Sequence, residues 1–228
     1  LVKDGDKWIA YEVKSSTKVT PTYELDATIQ TYVISNCGID LKDACIVHIN
    51  NQYIFEGTID VHQLFVANSV FTRVQELLPT IPRQVTRMKA VLSGTEVPEV
   101  EIGGHCGSPY PCDFASQCWS HVPEYSVFDI KYNRGLGWKL YDEGILTTTD
   151  IPDDYPLNER HQIQVTGDKT GIKNIDNNAV RQFVETLQYP LAHIDFETFQ
   201  SAVPNLIGTR PYQQVCFQWS AHIQNVKG

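Results

Sequence analysis

The chain is poor in basic residues and has no long apolar run. Lysine and arginine total 18 against 27 acids, a net charge of -9 at pH 7. That balance argues against loose, sequence-independent adhesion to nucleic acid, which depends on many phosphate contacts. It leaves room for an enzyme whose cation sites are acidic and whose substrate contacts are local. No apolar run approaches the roughly 20 residues that span a bilayer as a helix, so no membrane partner is expected. No signal peptide is visible. Internal repeats and low-complexity tracts are absent, and Gly135-Leu136-Gly137 is too short for a phosphate loop and reads as a turn. With 42% hydrophobic and 20% charged residues, disorder is excluded and an intracellular, cytoplasmic globular enzyme is expected. The 228 residues suffice for a sizeable core, or for one domain plus parts of another.

Residues 8–17, Trp-Ile-Ala-Tyr-Glu-Val-Lys-Ser-Ser-Thr, read as a strand rich in good strand formers. Glu12 and Lys14 are two apart, so both project from one face. A carboxylate beside an ammonium suits a site where a divalent cation activates water next to a phosphate. An exposed strand edge carrying a Glu and a Lys fits the same triplet. Next, Leu25, Ile29, Tyr32 and Val33 fall at helical spacing between Pro21 and Gly38, with Gln30 on the flank.

Strand with Glu-x-Lys, then helix with Gln, resembles the RecB-like branch of the PD-(D/E)XK nuclease superfamily. That family's helix carries Gln-x-x-x-Tyr; here Ile34 stands four residues after Gln30 and the tyrosine is Tyr32. The resemblance implies a restriction-endonuclease-like core in which Glu12 and the Val13 carbonyl hold Mg2+ or Mn2+. Lys14 would position the attacking water or stabilise the transition state, and Gln30 would orient Lys14 or the substrate. The family's second acid lies on the preceding strand. Asp4-Gly5 is a hairpin-turn signal, which ends that strand around Val2 and puts Asp4 and Asp6 in the turn. The chain also lacks an initiator methionine, so it is expected to be a piece of a longer protein with that aspartate upstream of Leu1.

Cys106, Cys112 and Cys118 form C-x5-C-x5-C with Gly and Pro between them. Three thiols this close suit a metal held by a loop, with unligated thiols as the plainer alternative. Structural zinc favours paired C-x2-C ligands, which are absent. Iron–sulfur clusters take four thiolates at looser spacing. The triplet resembles the iron–sulfur type of RecB-like nuclease, which implies a fourth ligand upstream of Leu1; Zn2+ is the alternative metal. Cys37, Cys45 and Cys216 read as structural, and His105 beside the triplet as a weaker ligand candidate.

Between these motifs, Ala44–Asn50 and Gln52–Phe55 read as a hairpin about Asn50-Asn51. Val70, Val74, Leu77 and Leu78 give a helix broken at Pro79 and Pro82 and resumed to Leu92. Arg83, Arg87 and Lys89 form the best local basic patch, or simply a solvated helix face. Residues 129–176 are polar and punctuated by Gly and Pro, as in short linking helices. Asp176 is placed to cap a helix through Val180, Phe183, Val184 and Leu187.

Near the end, Leu191–Thr198 is an apolar strand interrupted by Asp195 and Glu197, two acids on one face. Same-face carboxylates repel unless a cation lies between them; an exposed strand end would also tolerate them. Val215, Phe217, Trp219, Ala221 and Ile223 alternate as a second strand. Ile-Asp-Phe-Glu-Thr resembles the opening of a DnaQ-like 3'–5' exonuclease domain of ribonuclease-H fold, which implies that Asp195 and Glu197 bind two catalytic cations. The order of parts, with the tract Gly208-Thr209-Arg210-Pro211-Tyr212-Gln213-Gln214, resembles a bacterial family that joins both modules.

The expected fold is therefore α/β (α+β), with a nuclease module over 1–128 that includes a cysteine cluster at 105–119. A helical linker over 129–188 and the first hairpin of a ribonuclease-H-like domain over 189–228 would follow. The expected function is cation-dependent hydrolysis of nucleic acid, DNA first, with the chain by itself nearly inactive. A binding module that has lost catalysis and an interaction scaffold are the alternatives.

Overall fold

The computed structural model of the chain describes residues 1–133 and 135–226. Two compact units form: Leu1–Pro98 with Pro190–Gly228, and Glu99–Tyr189. The first is α+β and carries a mixed sheet of four strands, β1 (Val2–Asp4), β2 (Lys7–Val13), β3 (Leu41–Ile49) and β4 (Phe65–Ser69), adjacent in that order. β2 and β3 are parallel, and both outer pairs are antiparallel.

The β1–β2 turn corrects one expectation. Asp4 is not in the turn but on the strand, paired with Lys7. Gly5 is the first central residue, with φ of +63°. A hairpin with the glycine first uses a different primed turn from one read as Asp-Gly in the centre. The strand therefore runs to Asp4.

A parallel pair needs a crossover, and α1 (Pro21–Asn36) supplies it. Thr20 caps its start, accepting from the Tyr23 amide at 3.4 Å, with Pro21 in the first turn. Gly38, at φ of +79°, follows its end. The buried face is not the expected apolar stripe. Leu25, Ile29 and Val33 are 37%, 45% and 54% exposed, while Ala27, Thr28 and Thr31 are buried. Small side chains let the helix approach the sheet closely. Ala27 packs in one cluster with Ala44 and Ile46 of β3 and with Val70 and Val74.

The proline break appears as expected: α3 (Phe71–Leu77) leads through a 3₁₀ turn, Leu78–Thr80, into α4 (Ile81–Leu92). The Gln52–Phe55 strand does not form. β3 pairs instead with β4, which follows the short α2 (Val61–Leu64). The Phe55 backbone pairs with residues 208–209: its N–H donates to Thr209 O at 3.0 Å, and its carbonyl accepts from Gly208 at 2.8 Å.

β5 (Leu191–Gln200) and β6 (Gln214–Gln224) form the expected antiparallel hairpin, with an irregularity after Glu197. The period of two gives it one apolar face, with Ile194, Phe196, Trp219 and Ile223 all exposed. His193, Asp195 and Glu197 lie on the other.

The second unit is built of short helices: α5 (Ala115–Cys118), α6 (Leu136–Asp142), α7 (Glu159–Thr170) and α8 (Asn177–Glu185). Its core is Val127, Ile130, Leu140, Ile151 and Val165. Trp138 meets Phe128 edge-on, with ring centroids 4.7 Å apart. Asp176 caps α8 as expected, accepting from the amides of Asn178 and Ala179. Among the described residues, no helix is long and apolar enough to cross a membrane.

The Thr31 hydroxyl is buried and, among the described residues, has no hydrogen-bond partner. Thr31→Val keeps the shape and removes a desolvated donor, so it should raise unfolding free energy by about 1 kcal/mol in urea denaturation. A loss of stability would mean the hydroxyl is satisfied.

Candidate functional site

Alternation along β2 turns Glu12 and then Lys14 toward α1, while Tyr11 and Val13 face away and are exposed. Lys14 lies one residue past the strand, yet its backbone N–H donates to Val47 O at 2.8 Å, so the ladder fixes its position. The Lys14 Nζ donates to Glu12 Oε1 at 2.8 Å and to Asp26 Oδ2 at 2.5 Å. Gln30, one turn after Asp26 on α1, donates from Nε2 to Asp26 Oδ1 at 3.3 Å. The Tyr23 ring centroid lies 5.3 Å from the same ammonium.

Glu12, Lys14 and Gln30 are thus brought together, as the sequence predicts. Gln30 acts on Asp26, however, not on Lys14 directly. Asp26 was missed; its signal was the four-residue spacing to Gln30 on the helix face that meets the strand. Asp4 is no substitute. It shares the face of Lys7, opposite Glu12, and pairs with Lys42 at 2.6 Å.

Hydrogen bonding to Asp26 first, then to Glu12, holds the Lys14 ammonium well above its ordinary 10.5. Lys14 is therefore a permanent cation and donor at neutral pH and cannot serve as a general base. Its side chain is 20% exposed, against 30% for Glu12 and 39% for Asp26. His48 on β3 is buried with both nitrogens engaged: Nδ1 lies 3.1 Å from Ile49 O and Nε2 lies 2.8 Å from the Asn68 amide nitrogen. Nδ1 therefore carries the proton, and the ring is a satisfied core group.

Two carboxylates flanking one cation form a donor set that suits a hard divalent ion. Glu12 and Asp26 supply two of the six or more oxygens such an ion takes. Among the described residues, no three His, Cys, Asp or Glu side chains gather closely enough to hold a metal.

Asp195 and Glu197 share the polar face of β5 and are exposed. Asp195 Oδ1 accepts from the Phe196 amide at 3.0 Å. No hydrogen bond or ion pair among the described residues joins either acid to the Lys14 group. Cys106 ends a 3₁₀ turn, Cys112 is exposed and Cys118 ends α5. The Cys112 N–H donates to Cys106 O at 2.8 Å, and none of the six cysteines forms a disulfide. Cys45 is buried on β3, and burial, then Asp43, pushes its thiol up to about 11. Cys37 and Cys216, expected to be structural, are exposed.

Two predictions follow from this chemistry. Asp26→Ala should cost no more than about 1 kcal/mol in urea denaturation, since the pair is partly solvated. Because the folded-state pKa of Lys14 is raised, that cost should stay constant as pH rises through neutrality and begin to shrink above 10.5. A cost that disappears near neutrality would contradict the pairing. In native-state alkylation at mildly alkaline pH, iodoacetamide should modify the exposed Cys37 and Cys216 and spare the buried Cys45.

A family model described as "Domain of unknown function (DUF2779)" matches residues 192–228, which include β6 and the tract between the last two strands. Neither a curated protein nor a solved structure matches the chain.

Proposed function

We propose that the chain is part of a divalent-cation-dependent nuclease that hydrolyses phosphodiester bonds, with DNA as the first substrate to test. The observation that carries this reading is the Lys14 ammonium held between Glu12 and Asp26, with Gln30 on the far oxygen of Asp26. A β2–α1–β3 crossover that converges a Glu-x-Lys strand on a Gln-bearing helix supports a RecB-like, restriction-endonuclease-like core. The β5–β6 pairing supports a DnaQ-like, ribonuclease-H-like hairpin in which Asp195 and Glu197 open a second cation site.

Glu12, the Val13 carbonyl and Asp26 would hold Mg2+ or Mn2+. Such an ion, when bound, lowers the pKa of its water and offsets phosphate charge. Gln30 fixes the Asp26 carboxylate through Oδ1, while Oδ2 accepts from Lys14. Lys14, always charged, donates to a phosphate oxygen as negative charge builds there. Cys106, Cys112 and Cys118 do not gather as a ligand set here and would have to draw together to clamp an iron–sulfur cluster or Zn2+; no catalytic step runs through them.

One observation favours a second reading, a nucleic-acid-binding module without catalysis. Lys14 already bridges Glu12 and Asp26 and offsets part of their charge without an added cation.

Cleavage of labelled single-stranded DNA by the full-length protein, prepared without oxygen and supplied with Mn2+, separates the two. Glu12→Gln and Asp26→Asn should each slow cleavage by about 100-fold or more. Asp195→Ala tests the second site independently. A full-length protein that neither cuts DNA nor binds Mn2+ would leave the binding module as the correct reading.

A further inference from the structure

The tract at 208–213 makes a feature that the cation chemistry leaves unused. A cleft of about 1020 Å3 opens between it and the segment that leads from β2 into α1. One wall carries Ser16, Lys18 and Tyr23, and the other carries Arg210, Tyr212 and Gln213. Among the described residues, the lining holds two cationic side chains and no carboxylate, in a chain with 27 acids. Neither Lys18 nor Arg210 forms an ion pair among the described residues.

The cationic wall is held in place. Tyr212 donates its hydroxyl proton to the Ser15 carbonyl, and its N–H donates to Ser201 O at 2.7 Å. Tyr212 itself sits at φ of +58°, a conformation that costs a side-chain-bearing residue of order 1 kcal/mol and persists only where surroundings impose it. The Arg210 N–H donates to Gln213 Oε1 at 3.0 Å, and its Nη1 donates to Gln52 Oε1 at 3.4 Å. Tyr23 connects the cleft to the chemistry: it lines the cleft, and Lys14 Nζ stands 5.3 Å from its ring centroid.

We propose that this cleft binds the backbone of a single nucleic-acid strand, with Lys18 and Arg210 contacting its phosphates, and leads that strand to Glu12 and Lys14. Unpaired cations interleaved with aromatic rings are what binders of single strands use, whereas an acidic peptide would gain nothing from Tyr23 and Tyr212. The proposal rests on the nuclease reading for the direction of the strand, but the binding itself needs no catalysis.

The test is fluorescence anisotropy of a labelled oligothymidylate against the chain in EDTA, across a salt series. Lys18→Ala and Arg210→Ala should each weaken binding and each lower the salt slope by about 0.7, with about 1.4 for the double variant. Lys18→Arg should restore the slope, and Arg181→Ala on α8 should leave it unchanged. Circular dichroism melts confirm that each variant is folded. No binding by the wild-type chain, slopes indifferent to Lys18 and Arg210, or equal displacement by polyglutamate would overturn the proposal. Binding that depends on both cations in a full-length protein that cuts nothing would overturn only the nuclease reading. Cleavage that depends on Glu12 with binding indifferent to both cations would overturn only the cleft.

Discussion

The close approach of α1 to the parallel β2–β3 pair is the constraint on which the rest of the first unit depends. It is possible because the inward helix face is Ala27, Thr28 and Thr31, and the strand beneath presents Ala44 and Ile46. Each fully buried aliphatic side chain there, Ile46 and Val74 among them, contributes about 1.5–3 kcal/mol of transfer free energy. Asp26 and Gln30 lie beside that small-residue face. A longer residue at position 27 would hold the helix off the strand and take Asp26 out of reach of Lys14. Packing and site chemistry are therefore one problem, solved by the same turn of helix.

The electrostatics at the site follow from that geometry. One ammonium faces two carboxylates, so the group carries an excess negative charge in a chain already at -9. Hydrogen bonds to Asp26 and then Glu12 hold Lys14 charged and outweigh its partial burial, which works against the charge. Asp195 and Glu197 show the contrast. They share a face and a spacing of two, as Glu12 and Lys14 do, but they stand on an exposed ladder over which, among the described residues, no opposite element closes. Spacing puts groups on one face; only a second packed element turns that face into a site.

That distinction explains what was legible in the sequence. Caps and breakers worked: Thr20, Pro21 and Gly38 bracket α1, Asp176 opens α8, and Pro79 and Pro82 mark the α3–α4 break. Alternation found β5 and β6. Helical periodicity failed on orientation, because it selects the widest apolar stripe and α1 buries its smallest residues instead. The Asp4-Gly5 signal was right about a turn and off by one in position, since the glycine takes the first central place. Gln52–Phe55 was misread because its backbone finds partners at 208–209, some 150 residues away, a pairing no local pattern encodes. Asp26 was hidden for the opposite reason: an acid in a helix is common, and only the strand beneath it gives it a role.

Long-range pairing also decides what the 201–213 segment contributes. Its hydrogen bonds to Phe55 and to the Ser15 carbonyl make it a wall of the first unit. The residues that begin the candidate chemistry, 12 to 26, and those that complete the cleft beside it come from opposite ends of the chain. Loop closure over such a distance is costly but grows only slowly with length, so a few fixed contacts suffice to hold it. Tyr212 concentrates several of them: it packs against the cluster of Ile49, Tyr53 and Leu64, bonds to Ser15 and accepts a left-handed backbone. A side chain so heavily constrained next to an unpaired Arg210 fixes that guanidinium where a free loop would let it wander, and a fixed cation loses less conformational entropy on meeting a phosphate.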